Sequence, residues 1–263
     1  MFLIFPDTHK VAECVSAMLF DRIKQNPDIV LGLATGGTME PIYQQFVARL
    51  QQEKIELSRL RSFNLDEYVG LNPQHPKSYA AYMHEHLFQH IGYDSQRHFL
   101  PDGLAPDLDE YCRAYSDKIR RQGGIDLQLL GVGTNGHIGF NEPGTPFDSR
   151  CHVVRLSERT RRDNSRFFAK GAIVPETAIT MGMQDIMEAR QLVLVATGSA
   201  KAETMARFYQ SDVTPDVPIT ALKQHPDSRI ILDEAAASQL PDAVRRQYAV
   251  GDETTSGPVR RYA

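Results

Sequence analysis

Short apolar runs alternate with helical patterns along most of the chain. Six runs fit strands, and most of them are continuously apolar: DIVLGLA (28–34), RSFNLDEY (61–68), IDLQLLGV (125–132), HVVRL (152–156), QLVLVATG (191–198) and RIILDEA (229–235). Helical patterns lie between them: MEPIYQQFVARLQQ (39–52), SYAAYMHEHLFQHI (78–91), DLDEYCRAYSDKIRRQ (107–122) and AKAETMARFYQ (200–210). This alternation predicts an α/β fold, with a mainly parallel sheet and helices on both faces. Ligands of such sheets bind at the carboxyl ends of the strands.

Two of the predicted strand ends have residues that can bind an anion. The first places Thr35, Gly36, Gly37 and Thr38 between a strand and a helix, where backbone N–H groups and hydroxyls can cradle a phosphate. The second, TGSAK, has Lys201 in the first turn of the next helix. A plain strand-to-helix turn explains the first equally well, and a solvated lysine explains the second.

A third strand end carries two adjacent acids, Asp66 and Glu67. A carboxylate held at a strand end and directed into a cleft can act as a general base. The ordinary interpretation of such a pair is that it caps the next segment or faces solvent. Convergence with the other strand ends is needed to favour catalysis.

The fourth strand end is GVGTNGHIGFNEPGT (131–145), in which glycines surround His137 and Glu142. Glycine permits positive φ and a close approach of the backbone to other groups. A loop can therefore bring the imidazole and the carboxylate together, and a histidine oriented by a carboxylate moves protons near neutral pH. The alternative is a polar turn with a structural histidine.

A basic segment, LSERTRRDNSRFF (156–168), carries Arg159, Arg161, Arg162 and Arg166 in a helical pattern. Most of these arginines are expected to form a solvated face. One of them can bind a phosphate through two hydrogen bonds.

Composition limits the partners. With 41% hydrophobic and 24% charged residues and a net charge of −4, the chain is typical of a soluble globular protein and has no basic footprint for nucleic acid or anionic lipid. No apolar run is long enough to span a bilayer, and the amino terminus lacks the features of a signal peptide. The three scattered cysteines fit neither a disulfide framework nor a metal site, so a cytoplasmic location is expected.

The residues alone thus predict a sugar phosphate or similar small phosphoester as substrate, and a proton transfer such as isomerisation or deamination beside a carbonyl. The motifs GLATGGT, FNLDEYVGL and GVGTNGHIGFNEPGT, in this order, resemble the glucosamine-6-phosphate deaminase (isomerase) family over nearly the whole chain. The resemblance implies a Rossmann-like single domain over residues 1–263. It also implies a reaction without metal or cofactor, of the carbon–nitrogen hydrolase type: glucosamine 6-phosphate becomes fructose 6-phosphate and ammonia in amino-sugar catabolism.

The resemblance also implies catalytic roles. His137 moves a proton at the ring oxygen and opens the sugar, and Glu142 and Asn135 orient it. Asp66 takes the proton from C2 and returns it at C1. Some members of the family have aspartate in place of Asn135; because asparagine cannot exchange a proton, its expected role here is to hold His137 or Glu142.

Binding roles follow from the same resemblance. Phosphate contacts are implied for Thr35–Thr38, Arg166 and Lys201, and a mobile lid is implied near residues 156–180. Allosteric members bind an acetylated amino-sugar phosphate through a Ser-Ser pair and two basic residues. The matching positions here are Thr145, Pro146, His152 and Val154. Activation is therefore expected to be weak or absent unless Arg150 or Arg155 compensates.

Three alternatives remain open at this point. A deaminase for galactosamine 6-phosphate differs only at C4 of the substrate. A 6-phosphogluconolactonase shares the fold but needs neither the base at C2 nor the full GHIGFNEP arrangement. A sugar-phosphate sensor is expected to lose the base and to carry a DNA-binding module, for which the pattern leaves no room. The sequence is compatible with both a monomer and a homo-oligomer, and with either physiological direction.

Overall fold

A computed structural model describes residues 2–165, 168 and 174–251. The strands in this part of the chain are β1 (Phe2–Phe5), β2 (Val30–Leu33), β3 (Arg61–Asn64), β4 (Asp66–Tyr68), β5 (His98–Phe99), β6 (Leu127–Leu130), β7 (His152–Arg155), β8 (Thr177–Thr180), β9 (Gln191–Ala196) and β10 (Ser228–Asp233). The helices are α1 (Thr8–Gln25), α2 (Glu40–Glu53), α3 (Tyr79–Met83), α4 (Gln89–Ile91), α5 (Leu108–Arg121), α6 (Glu158–Ser165), α7 (Met183–Met187), α8 (Ala202–Gln210), α9 (Glu234–Ala237) and α10 (Asp242–Tyr248). A π-helical turn (His84–Phe88) joins α3 to α4, and 3₁₀ turns cover Ser199–Lys201 and Pro218–Gln224.

Seven strands form a parallel sheet in the order β1-β10-β9-β6-β2-β3-β5. All residues of β2, β6 and β9 are buried, because a parallel sheet is covered on both faces and its central strands must be apolar throughout. The predicted α/β fold is confirmed. None of the helices in the described ranges is long and apolar enough to cross a membrane.

The chain reverses its direction of travel across the sheet between β2 and β6. From β2 it proceeds outward to β3 and β5, and from β6 it proceeds the other way to β9 and β10. Since parallel crossovers are right-handed, opposite directions of travel place α2 and α8 on opposite faces. α1 packs beside α2. The carboxyl ends of the neighbouring strands β2 and β6 are therefore the topological switch point, where ligands bind in doubly wound sheets.

A second sheet corrects part of the predicted strand pattern. Only the first half of the run RSFNLDEY, which forms β3, extends the parallel sheet. Its second half (β4) and the run HVVRL (β7) form a separate antiparallel sheet with β8. The chain changes sheets at Leu65, whose N–H donates to Leu33 O in one direction and whose carbonyl accepts from Met181 N in the other. Asn64 thus remains beside Leu33, whereas Asp66 pairs with Thr180.

Candidate active site

The four strand ends singled out in the sequence converge. They follow β9, β6, β2 and β3, which are four consecutive strands of the parallel sheet. Because parallel strands end at the same edge, the segments after them lie side by side at the switch point. The segment after β6 also reaches the start of α2: a Cβ atom at Gly131 would lie 3.6 Å from Cε of Met39.

A hydrogen-bonded chain joins His137, Asn135 and Glu142. Nδ1 of His137 lies 2.6 Å from Oδ1 of Asn135, and Nδ2 of Asn135 donates to Oε2 of Glu142 at 2.6 Å. The same Glu142 oxygen is 3.9 Å from Nδ1 of His137. Asn135 therefore stands between the imidazole and the carboxylate and bonds to both.

This chain selects one form of the imidazole. A carboxylate only accepts hydrogen bonds, so the amide of Asn135 must present its N–H to Glu142 and its carbonyl oxygen to His137. Nδ1 of His137 is then the protonated nitrogen, and Nε2 keeps its lone pair. Burial lowers the pKa of His137, against the opposing charge of Glu142. The arrangement presents a neutral histidine whose Nε2 can accept a proton.

Gly133 explains part of the glycine content of this loop. A Cβ atom at Gly133 would lie 2.1 Å from Cε1 and 2.3 Å from Nε2 of the His137 ring. No side chain fits there without displacing the imidazole. Gly139, at φ +56°, lies close to the carboxylate of Asp66, because a Cβ atom at Gly139 would lie 3.5 Å from Oδ2 of Asp66. The loop thus contacts the proposed proton shuttle and the proposed base.

Asp66 is a buried carboxyl group, with 7% of the residue exposed. Within the described ranges, no group donates a hydrogen bond to its side chain. Burial, with a smaller contribution from the charge of Glu67, raises the pKa of Asp66 to about 8. A carboxyl group with a pKa near neutrality and no structural partner has the properties of a general base.

Glu67 has the ordinary role that the sequence offered for this pair. Its Oε1 accepts from the N–H groups of Tyr68 at 2.8 Å and Tyr79 at 3.0 Å, and its Oε2 accepts from Ala80 N at 2.9 Å. These bonds place the carboxylate at the amino terminus of α3, which it caps. The two adjacent acids therefore have different environments, and Asp66 is the one available for chemistry.

The segment after β2 offers an open anion site. The N–H groups of Gly36, Gly37 and Thr38 donate to no acceptor within the described ranges, and they precede the 14-residue helix α2. A Cβ atom at Gly36 or Gly37 would meet nothing within 4 Å. Lys201 follows β9 in the 3₁₀ turn before α8 and lies close enough for its charge to lower the pKa of His137. Arg166, the predicted arginine contact, lies outside the described residues.

Four other basic side chains considered in the sequence bond to protein groups, and of these Arg159 lies close enough for its charge to act on His137. Arg159 donates through Nε to Oγ1 of Thr134 at 3.1 Å, whereas Arg161 pairs with Glu176. Arg150 is paired with Asp185 at 2.8 Å and with Glu188. Arg155 is 3.5 Å from Glu176 and largely exposed.

Two hydroxyls that the sequence did not single out contact Glu142. Oγ of Ser157 donates to Oε1 of Glu142 at 3.1 Å, and Oγ1 of Thr160 donates to the same oxygen. A serine such as Ser157 before a helical pattern is a typical amino-terminal cap and so a signal for a helix start. It does not show that the hydroxyls face a carboxylate distant in sequence.

A cavity of about 430 Å³ lies elsewhere, lined by residues that include Leu50, His90 and Arg97. It is formed by the end of α2 and by the segments that lead into β3 and β5, at the edge of the sheet opposite the switch point. None of the converging groups borders it. The candidate active site therefore lies at the carboxyl ends of the strands, away from this cavity.

Replacing Asp66 by asparagine is expected to stabilise the fold at alkaline pH. The pKa of about 8 in the folded state exceeds the ordinary value of 3.8, so the unfolded state releases this proton more readily. The stability associated with neutral Asp66 is present below about pH 4 and is lost as the pH rises to 8. If the free energy of unfolding of the variant rose by about 2 kcal/mol, its Tm would rise by about 4 to 8 °C.

The measurement is Tm of the native and Asp66→Asn proteins at pH 4.5 and 8.5. We expect a gain for the variant at pH 8.5 that nearly disappears at pH 4.5. Asp126→Asn is the matched control, because Asp126 accepts from Val30 N at 2.8 Å and pairs with Arg190. It is expected to lose stability at pH 8.5. An equal Tm for native and Asp66→Asn proteins at both pH values would contradict the raised pKa.

Fold and site together define a doubly wound α/β protein in which candidate proton-transfer groups lie beside an open helix amino terminus. Residues 8–231 match the model of the glucosamine-6-phosphate isomerases and 6-phosphogluconolactonases. The chain belongs to this family.

Three similar proteins illustrate the relationship. The chain is 49% identical over 229 residues, 87% of its length and 93% of the relative's, to glucosamine-6-phosphate deaminase of Shouchella clausii. It is 46% identical over 240 residues, 91% of its length and 96% of the relative's, to the protein of that name from a Geobacillus species. A solved structure of a monomeric glucosamine-6-phosphate deaminase superimposes with a TM-score of 0.87 at 42% identity, covering 91% of this chain and 100% of the other.

Proposed function

We propose that this chain converts glucosamine 6-phosphate into fructose 6-phosphate and ammonia. The observation that carries the proposal is the buried Asp66 carboxyl, which has no hydrogen-bond donor among the described residues and shares one strand edge with the His137–Asn135–Glu142 chain. Relatives at 44–49% identity with the name glucosamine-6-phosphate deaminase support the same reaction.

Ring opening is the first proposed step. Nε2 of His137 takes the proton of the C1 hydroxyl, and the imidazolium returns it to the ring oxygen as the C1–O bond to that oxygen breaks. The transient positive charge is stabilised by Glu142, whose Oε2 is 3.9 Å from Nδ1. Asn135 keeps the ring orientation throughout, because it bonds to both partners.

Proton transfer between carbons is the second proposed step. The ionised Asp66 removes the C2 proton from the open-chain aldehyde. The electron pair forms the C1–C2 double bond of an enolamine as the C1=O π bond opens, and the C1 oxygen takes a proton from the ammonium group of the substrate. Asp66 then returns the proton to C1, which leaves an imine at C2. One water adds to that carbon and ammonia leaves, so the net reaction consumes one water, as expected of a carbon–nitrogen hydrolase.

The bound ammonium group of the substrate favours the ionised form of Asp66. An opposite charge nearby lowers the pKa of a carboxyl group, and the free site holds this pKa at about 8. The substrate thus helps to generate the base that attacks it.

Phosphate binding fixes C2 over Asp66. The N–H groups of Gly36, Gly37 and Thr38, which have no acceptor among the described residues, form the proposed cradle, with the charge of Lys201 nearby and Arg166 as a further contact. Closure of the segment 156–180 over the substrate, which would exclude water from the enolamine, also remains a proposal. So do a cytoplasmic location, a role in N-acetylglucosamine degradation and the absence of activation by N-acetylglucosamine 6-phosphate.

Product analysis with three substrates tests the proposal. Glucosamine 6-phosphate, galactosamine 6-phosphate and 6-phosphogluconolactone are supplied separately, and ammonia, fructose 6-phosphate and acid release are measured. We expect ammonia and fructose 6-phosphate from the gluco substrate. Turnover of the galacto substrate alone would reassign the specificity at C4, and lactone hydrolysis alone would replace the proposed reaction by that of the other activity in the family name. Binding of the amino sugars without any turnover would favour the sensor.

A further inference from the structure

The helix α6 contacts the candidate site at several points. Oγ1 of Thr134 donates to Asp163 at 2.8 Å, and Nδ2 of Asn164 donates to the hydroxyl of Tyr68 at 2.9 Å. At the start of the helix, Ser157 and Thr160 contact the Glu142 carboxylate. Of these contacts, only the last pair reaches a residue of the proton-transfer chain.

The two hydroxyls differ in what else they do. Oγ of Ser157 accepts from the N–H of Thr160 at 3.1 Å, which is the bond of a helix amino-terminal cap. Thr160 is buried, with 2% of the residue exposed. Among the described residues, the only acceptor of its hydroxyl is Oε1 of Glu142. Ser157 thus caps the helix as well as contacting the carboxylate and the Thr160 hydroxyl, whereas the Thr160 hydroxyl donates, within the described ranges, to the carboxylate alone.

Both oxygens of Glu142 are consequently occupied. Oε1 accepts from the hydroxyls of Ser157 and Thr160, and Oε2 accepts from Nδ2 of Asn135. A carboxylate can only accept hydrogen bonds. The amide of Asn135 is therefore held with its carbonyl oxygen towards His137. If the carboxylate lost this support and turned away, Asn135 would lose its acceptor, and the amide could then turn its N–H towards Nδ1.

We infer that Thr160 is a positioning residue, whose hydroxyl keeps Glu142 and Asn135 in the arrangement that leaves Nε2 of His137 free to accept a proton. The inference rests on the proposed function for its kinetic consequence. Its structural consequence, the tautomer of His137, is measurable in the protein without substrate. Thr160 acts through Glu142 and touches no reacting atom in this scheme.

The test compares Thr160→Val, which has the same shape without the hydroxyl, with Thr160→Ser, which keeps the hydroxyl. Thr220→Val is the matched control, because Thr220 is also fully buried but its hydroxyl bonds to Thr214 and Val217, outside the site. Tm is recorded for each variant to confirm folding. The readouts are kcat, KM, the pH profile of kcat/KM, and the ¹⁵N shifts of the His137 ring, assigned by comparison with His137→Gln.

A hydrogen bond to a charged group contributes about 1.5 to 3 kcal/mol, so we expect Thr160→Val to lose about 10- to 100-fold in kcat. KM should change little, the acid limb of the pH profile, which Asp66 is expected to set, should stay in place, and the proton of the imidazole should shift from Nδ1 towards Nε2. Thr160→Ser should restore both kcat and the native tautomer, and Thr220→Val should leave both unchanged.

Two results would overturn the inference. One is an equal loss of kcat in Thr160→Val and Thr160→Ser, which would indicate a packing role. The other is a native tautomer together with a native kcat in Thr160→Val. If the native protein turned over none of the sugar phosphates but Thr160→Val still changed the His137 tautomer, the positioning role would stand and the proposed reaction would fail.

Discussion

Asp66→Asn is expected to reduce kcat for glucosamine 6-phosphate by about 1,000- to 10,000-fold, because the amide cannot take the C2 proton. Asparagine has nearly the same shape as the neutral carboxyl group, and no described hydrogen bond depends on the Asp66 side chain. Binding of the substrate phosphate should therefore change far less than kcat.

The decisive measurement is isotope transfer. With glucosamine 6-phosphate deuterated at C2, part of the label should appear at C1 of fructose 6-phosphate in the native enzyme, because one carboxyl carries the proton between the two carbons. The residual product of Asp66→Asn should carry none. Asp126→Asn, at the opposite edge of the sheet, should behave like the native protein. A native kcat in Asp66→Asn would remove Asp66 from the mechanism.

The pH profile supplies an independent check of the same residue. Since the base must be ionised and its pKa in the free protein is about 8, kcat/KM should fall as the pH falls below about 8. The ordinary pKa of 3.8 would instead place this limb below pH 5. The limb of kcat should lie at lower pH than that of kcat/KM, because the bound ammonium group favours the carboxylate.

His137→Gln is expected to reduce kcat by about 100- to 10,000-fold, by removing the group that opens the ring. Asp66 remains able to act on the small fraction of substrate that is already open. The two variants should therefore be limited by different steps. His137→Gln should be limited by ring opening, and Asp66→Asn by removal of the C2 proton.

Varying the enzyme concentration distinguishes these limitations. With His137→Gln in excess, the rate of product formation should reach a plateau set by spontaneous ring opening in solution. The native enzyme should show no such plateau, and His90→Gln, an exposed histidine outside the site, should match the native enzyme. A rate for His137→Gln that rises in proportion to enzyme at all concentrations would show that His137 does not open the ring.

The strand ends were the most predictable part of this protein. Buried parallel strands must be apolar, so β2, β6 and β9 are visible as continuous runs, and the residues after them are placed at one edge by the fold class alone. The Gly-rich loop was predictable for a different reason. Its glycines mark places where the backbone approaches a side chain closely, as Gly133 approaches His137.

The different roles of Asp66 and Glu67 could not be predicted from their adjacency. The distinction depends on the change of sheets at Leu65, which pairs Asp66 with Thr180 and directs Glu67 to the start of α3. Contacts between distant segments decide this, and the local pattern of RSFNLDEY contains no sign of them. The same holds for Thr160, whose partner Glu142 lies in another loop.

Through the small antiparallel sheet, the placement of the Asp66 carboxyl group does not depend on the length of the segment from 156 to 176. Arg155 pairs directly with Thr177, so the segment from 156 to 176 starts and ends at adjacent positions on neighbouring strands. Asp66 is held by the far side of β8, through its pairing with Thr180. An insertion or deletion between paired strand ends changes the chain entropy only slightly with length and leaves the pairing behind it intact. The length and sequence of the segment from 156 to 176 can therefore change during evolution while the Asp66 carboxyl group keeps its position.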